Sequence, residues 1–316
     1  MNEFDFIHTY FSPLSGAGAF GLKDDVAVFS DAVITKDVLV ENVHFLSADP
    51  LDQVARKALR VNISDLVAKG CQPTHYFLGL VWPKEADEVS IATFAKGLQA
   101  DQTAFGVSLL GGDTTRHRLS NAPLTISVTM VGEKVGAGHI PRSGAGPGDA
   151  VMTIGSIGDA GLGLQMLQGT LPQDPAAIEA YRLPHPPLSM VSTLARYATA
   201  SLDISDGLMA DAAHLAAASG LTLKINAPQI PLSAVGYDYV EKRGADGLIF
   251  LLTCGDDYQP LFTVAAENIS AVQKAAQEHK VRVTKIGMCE EGPAHVVLQD
   301  EDGNPIPFEN KGYTHF

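Results

Sequence analysis

Carboxylates planted at the ends of apolar runs constrain this chain more than any other feature. They stand in Lys23-Asp24-Asp25, Thr35-Lys36-Asp37, Asn62-Ile63-Ser64-Asp65, Gly111-Gly112-Asp113-Thr114-Thr115, Asp203-Ile204-Ser205-Asp206-Gly207 and Cys254-Gly255-Asp256-Asp257-Tyr258. Surface acids normally sit among Lys, Glu and Ser. A carboxylate beside a buried segment is costly to desolvate unless it is paired or bound to metal. Hard oxygen donors drawn from distant segments suggest Mg²⁺, which at a protein usually accompanies bound phosphate.

The formal charge of −14 narrows the partners. Nucleic acid needs a basic face, which this balance denies. A phosphate substrate is compatible with such acidity only if divalent cations screen the repulsion. With 316 residues, 46% apolar and 18% charged, the chain is expected to form two globular domains, each with its own core. Cys71, Cys254 and Cys289 are isolated and include no CxxC, so neither a disulfide framework nor a zinc site is expected. The start, Met1-Asn2-Glu3-Phe4-Asp5, lacks the basic flank and apolar core of a signal peptide, and no apolar stretch reaches 18 residues. No membrane span and a cytoplasmic location are therefore expected.

Periodicity predicts a short helix over 4–11, a small-residue loop over 12–21, and strands over 26–30 and 32–40. Helical spacing covers Leu51 to Val67, with Gly70 as its stop. A strand over 76–82, a helix over 86–103, a strand ending at Leu110 and another over 124–133 complete the first half. The stretch 136–148, with five glycines and two prolines, reads as the linker. Beyond it come strands near 150–154, 202–204, 221–225, 261–264, 283–287 and 295–298. Helices are expected after the first of these and over 188–198, 207–219 and 269–279. Strands and helices mix without strict alternation, which favours an α+β fold of two mixed domains. Residues 1–137 and 138–316 are the expected division.

Gly16-Ala17-Gly18-Ala19-Phe20-Gly21 spells GxGxxG, but no strand precedes it and no helix follows, so it reads as a flexible loop. No P-loop sequence occurs. Asp24, Asp25 and Asp37 are as compatible with turns flanking a hairpin as with a metal site. Asp65, on a helix beside Leu66 and Val67, is harder to explain as solvated. Gly111 and Gly112 allow a backbone to approach phosphate closely, with Asp113 and two threonines following. Asp203 and Ser205 share one face of a strand, and Asp206 begins a helix. Capping accounts for one aspartate there, not for two and a serine. Asp211 and His214 read as solvent-face residues of that helix. Arg142, in the linker, can reach phosphate or water, and His44 is equally a core or a substrate histidine.

Taken together these segments resemble the thiamine-monophosphate kinases, whose superfamily includes aminoimidazole ribonucleotide synthetase and selenophosphate synthetase. The matching stretches are Asp24 to Val28, Asp37 to Phe45, Ala58 to Asp65, Gly111 to Arg116, Arg142 to Ala145, Asp203 to Leu208, Gly255 to Thr263 and Lys311 to Phe316, in family order. The resemblance implies two domains of the aminoimidazole ribonucleotide synthetase type, with a homodimer formed through the N-terminal ones. It implies ATP-dependent phosphorylation of thiamine monophosphate. By position, Asp25, Asp37, Asp65, Asp113 and Asp203 would hold several Mg²⁺ ions around the ATP phosphates, Asp206 a further one, with Thr35 adding a weaker contact. Gly112, Asp113, Arg142 and Ser205 would touch ATP, and His44, Asp256 and Tyr313 the thiamine phosphate. The chain departs from the pattern at Lys23, where Gly is usual, at Lys36, where Thr or Ser is a ligand, and at Asp256, where Glu is usual. Another ATP-dependent synthetase of the superfamily is the enzymatic alternative, and a degenerate nucleotide-binding protein the non-enzymatic one. An acceptor that is already an ionised phosphate needs no general base and no protein nucleophile, so positioning and charge neutralisation carry the chemistry.

Overall fold

In a computed structural model, residues 3–136, 138–308 and 312 are described. The first half runs α1 (Glu3–Phe6), β1 (Ala27–Phe29), β2 (Ala32–Val40), α2 (Leu51–Ala68), β3 (Cys71–Trp82), α3 (Glu88–Phe105), β4 (Ser108–Arg116) and β5 (Thr125–Lys134). Its five strands form one sheet in the order β1-β2-β5-β3-β4. Only the β3–β4 pair is parallel. The second half runs β6 (Ala150–Ile154), α4 (Asp159–Leu167), α5 (Pro175–Arg182), α6 (Val191–Tyr197), β7 (Ala198–Asp203), α7 (Leu208–Ser219), β8 (Thr222–Asn226), α8 (Ala234–Thr253), β9 (Pro260–Val264), α9 (Ile269–Glu278), β10 (Val283–Glu290) and β11 (His295–Gln299). Its sheet has the order β11-β8-β10-β6-β9-β7, with β11 parallel to β8. Two mixed sheets with helices unevenly interleaved match the α+β expectation.

Helix α2 organises the molecule. It packs against β2, β3 and β5 of the first sheet and against β7 and β9 of the second. Being covered on both sides, it buries Val54, Leu59, Val61, Ile63, Leu66 and Val67 almost completely. Each such side chain contributes roughly 1.5–3 kcal/mol by leaving water. The same burial reaches Lys57, Arg60, Asn62 and Ser64, and each finds a partner. Arg60 grips Asp101 through Nε (2.6 Å) and a terminal nitrogen (3.0 Å), and donates to the Leu183 and Pro184 carbonyls. Asn62 donates to the Ala58 carbonyl, and Ser64 donates to the Tyr258 carbonyl. Gly70 ends the helix at φ +66°, where a Cβ would also lie 2.9 Å from Ala195 Cα.

Several sequence expectations need correction. β4 does not end at Leu110 but continues through the Gly111–Thr115 stretch as the exposed edge of its sheet. Gly112 fits there because a Cβ would meet the Leu78 carbonyl oxygen at 1.8 Å. Ala17–Leu22 forms a kinked 3-10 helix rather than a free loop, with Gly18 pressed so closely on Val28 that a Cβ would overlap its carbonyl oxygen. The 136–148 stretch joins the two halves and is anchored to both: Ile140 N–H donates to the Lys69 carbonyl, and the Pro141 carbonyl accepts from Ser201 N–H. Helices α5 and α8 escaped notice. α8 carries Gly236, Gly244 and Gly247, and bends at Gly244, which interrupts its helical pattern. Among the described residues, no helix is long and apolar enough to cross a membrane.

Candidate active site

A cavity of about 460 Å³ opens between the two sheets, against the C-terminal half of α2. Its walls include Asp25, Thr35, Asp37, His44, Asp65, Arg142, Asp203, Ser205, Asp206 and Asp256. Ten of the residues singled out from sequence thus converge from β2, α2, β7 and the loops around them. Oxygens of Asp25, Asp65 and Asp203 lie within 4.8 Å of one another. Strand alternation explains part of this: Val33, Thr35 and Leu39 are buried on the β2 face toward α2, where Thr35 Oγ1 donates to Asp65 at 2.5 Å.

Electrostatics separate these carboxylates into two kinds. Burial pushes Asp37 up to about 6, with the negative charge of Asp25 adding to it. Burial likewise lifts Asp203 to about 7, again helped by Asp25. Asp65 rises well above its ordinary range because it is buried facing Asp203, Asp37 and Asp25. Asp25 behaves oppposite. Burial would raise it, but the Lys69 ammonium and the Arg142 guanidinium overcome that and hold it far below the usual carboxylate range. Lys69 Nζ sits 2.5 Å from Asp25 Oδ2, and Arg142 Nε donates to Asp25 Oδ1 at 2.9 Å.

A second group, Asp206, Asp211 and His214, also has ligand atoms within 4.8 Å. Asp211 was expected on the solvent face of α7 but is buried, and it accepts the Asp206 N–H at 3.0 Å. α7 turns this face to the cleft because Asp206 lies just before its first turn. Burial and the neighbouring Asp206 raise Asp211 well above its usual range.

The opposite wall is built around Lys57, which sequence reasoning overlooked. Its ammonium donates to Asp256 Oδ2 at 2.7 Å and to the His44 carbonyl at 3.0 Å, and lies 4.0 Å from the centre of the Tyr181 ring. His44 Nδ1 accepts the Val40 N–H at 3.0 Å, which fixes its ring at the cavity mouth. Asp256 and Tyr258 hold φ of +66° and +49°, a strained state for non-glycine residues that commonly marks functional loops. The loop is pinned where Asp256 N–H donates to the Ser205 carbonyl and Tyr258 N–H to that of Ile204. Lys57 and Lys69 had a sequence signal after all. Lys57 is a cation inside an apolar helical pattern and Lys69 stands at its end, the same anomaly that drew attention to Asp65.

Not every expected residue gathers here. Gly112 and Asp113 lie on β4, and Asp113 is in register with Gly79, Ser127 and Val38 on the sheet face turned away from α2. Lys36 borders the cavity, but its exposed side chain donates to Ser127 on that outward face. Tyr313 lies outside the described residues. Gly312, just before it, packs on the cleft end of α7, where a Cβ would be 2.4 Å from Ala210 Cβ and 3.0 Å from the Asp206 carbonyl oxygen.

Hard oxygen donors, buried and mutually repelling, are the donor set a divalent cation of the Mg²⁺ type takes. The raised carboxyls of Asp37, Asp65 and Asp203 are those a cation would relieve, so the residues present fit such an ion.

Comparison with known proteins follows the same lines. Residues 23–134 match the family described as AIR synthase related protein, N-terminal domain, and residues 146–299 match its C-terminal domain. A thiamine-monophosphate kinase of Caulobacter vibrioides is 40% identical over 300 residues, covering 92% of this chain and 84% of that protein. The Escherichia coli K12 thiamine-monophosphate kinase is 33% identical, covering 99% and 98%. A solved structure described as AaThiL complexed with AMPPCP and TMP superposes with a TM-score of 0.86 at 32% identity, covering 100% of this chain and 97% of that one.

Proposed function

This chain belongs to the thiamine-monophosphate kinases of the AIR synthase-related family, and we propose that its inter-sheet cavity transfers the γ-phosphoryl group of ATP to thiamine monophosphate, giving thiamine diphosphate and ADP. The convergence of Asp25, Asp65 and Asp203 carries this reading, because such a carboxylate cluster attracts phosphate only through bound cations. Bound Mg²⁺ would neutralise charge on the β- and γ-phosphates. Asp37, Asp65 and Asp203 would hold it, with Asp25 and Thr35 at one end and Asp206 at the other.

The protein's own groups do the rest. Arg142, already among carboxylates, offers its guanidinium to a phosphate oxygen. Ser205, at the pinned Asp256 loop, contacts the nucleotide. His44 and Asp256 line the far wall and, with Tyr313 as the family resemblance implies, bind the thiamine phosphate, so the acceptor phosphate points towards the cluster. That phosphate is an ionised nucleophile, so orientation in line with the γ-phosphorus suffices and no protein base is required. Residues 1–137 form the metal-binding and dimerising unit, and residues 138–316 complete the site.

The homodimer joins the outward face of the first sheet. Phe29, Val38 and Phe77 are 77%, 44% and 44% exposed there, beside the edge strand that carries Leu110. Large apolar side chains left on a sheet face and an unpaired edge both favour a protein partner. Asp113 lies on this same outward face, whereas Gly112, in register with Leu78, belongs to the face toward α2. The substrate pair fits a cytoplasmic reaction. Incubation with ATP, Mg²⁺ and thiamine monophosphate tests the proposal: equal amounts of ADP and thiamine diphosphate are expected. ADP formed without thiamine diphosphate would refute it.

A further inference from the structure

Lys69 has no solvent exposure, yet it stands at the carboxylate end of the cavity rather than in an apolar core. Its ammonium has three donors, and three acceptors surround it: Asp24 Oδ1 at 2.8 Å, Asp25 Oδ2 at 2.5 Å and the Ser201 carbonyl at 2.6 Å. These come from the segment before β1 and from β7, while Lys69 itself caps α2. A cation at a helix C-terminus is also favoured by the helix dipole. A fully buried lysine held between two carboxylates and a carbonyl stays in place when ligands arrive.

Arg142 differs. It holds only the other oxygen of Asp25, and its side chain is 22% exposed, so it can exchange Asp25 for another anion. Asp24 and Asp25 therefore face one fixed cation and one exchangeable one. The fixed charge lies where a divalent ion could otherwise bridge Asp24 and Asp25.

We propose that Lys69 is a resident cation of this site: it substitutes for a metal ion at the Asp24–Asp25 end, holds the Asp25 carboxylate in position, and leaves only Asp25 Oδ1 for metal. It is a positioning residue, with no contact to substrate. Metal binding is then confined to Asp37, Asp65 and Asp203 together with Asp25 Oδ1, and Arg142 is the group that yields when nucleotide enters. This inference rests on the metal-dependent kinase reading. The wild-type kinase assay tests that reading separately, because the measurement below needs no turnover.

Mn²⁺ binding to the nucleotide-free protein, followed by electron paramagnetic resonance and calorimetry, decides the matter. Lys69→Met removes the charge at nearly constant length. It should tighten Mn²⁺ by about tenfold or more, since a unit charge a few ångströms from a divalent ion is removed. Asp24→Asn should do the reverse and weaken Mn²⁺ several-fold, because Lys69 loses a counter-charge and repels the metal more strongly. If Lys69→Met does not fold, Lys69→Gln, which keeps a donor for the Ser201 carbonyl and removes the charge, carries the test with the same expected tightening. A lysine that merely ties the two sheets together predicts a lower melting temperature with an unchanged Mn²⁺ isotherm. That result, or weaker binding by Lys69→Met, would overturn the proposal.

Discussion

If the site takes a divalent ion as proposed, protons compete with it, and the buried carboxylates set the size of the effect. Asp203, lifted to about 7 by burial and by Asp25, is mostly protonated at pH 6 and mostly ionised at pH 8. A metal that binds its carboxylate at pH 6 must first displace that proton, which weakens binding about tenfold relative to pH 8. Asp37, lifted to about 6 by burial and by Asp25, adds roughly another factor of two at pH 6. The sign follows from the direction of both shifts: raised carboxyls favour the proton-bound, metal-free state at low pH. Mg²⁺ affinity should therefore fall about twentyfold between pH 8 and pH 6, and Asp65, raised in the same direction, can only enlarge the drop. Asp25 contributes nothing in this window, because Lys69 and Arg142 keep it ionised throughout. Calorimetric titration with Mg²⁺ in two buffers of different ionisation enthalpy measures both the affinity and the protons released. At least about half a proton released per ion near pH 7 is expected, mainly from Asp203. An affinity independent of pH between 6 and 8, with no proton release, would refute the placement of metal on Asp203 and Asp37.

Asp65→Asn and Asp203→Asn should each cut turnover by about a hundredfold or more while the melting temperature stays the same or rises, since the amide keeps shape and removes a buried, repelled charge; wild-type turnover in either would remove that carboxylate from the ligand set. Lys57→Met should raise the Michaelis constant for thiamine monophosphate more than that for ATP, because Asp256 loses its partner at 2.7 Å; a double-mutant cycle with Asp256→Asn measures the coupling. Tyr313→Ala should show the same split, with an aromatic contact to the thiazolium worth roughly 0.5–2 kcal/mol. Phe77→Glu, on the outward sheet face, should yield monomers in light-scattering chromatography, whereas an unchanged dimer would move the interface elsewhere.

How much was legible beforehand follows from the kind of signal each residue gives. The carboxylates could be picked out because charge beside apolar sequence is anomalous on sight, and Asp25, Asp37, Asp65 and Asp203 all meet in the cavity. The order of motifs along the chain carried the family and its two-domain α+β fold. β2 and α2 were readable almost to their ends, because strand alternation and helical spacing are local properties of the residues concerned. α8 was not, since its interior glycines weaken the helical pattern and only packing maintains the helix.

Which charges oppose one another was decided by tertiary structure alone. Asp25 and Asp203 are 178 positions apart, and nothing local tells that one is held ionised while the other retains a proton near neutrality. The difference comes from Lys69, whose fixed ammonium arrives only when α2 is clamped between the two sheets. Lys36 shows the converse: its sequence position suggests a metal ligand, but strand alternation combined with pairing to β5 sends its ammonium to Ser127 on the other face. Residue types and their spacing thus determined that acidic, metal-seeking chemistry would be buried in an α+β scaffold. The distances between charges, and with them the protonation of each carboxylate, were determined by how the two sheets close on α2, because electrostatic energy depends on separation and solvent exclusion rather than on order along the chain.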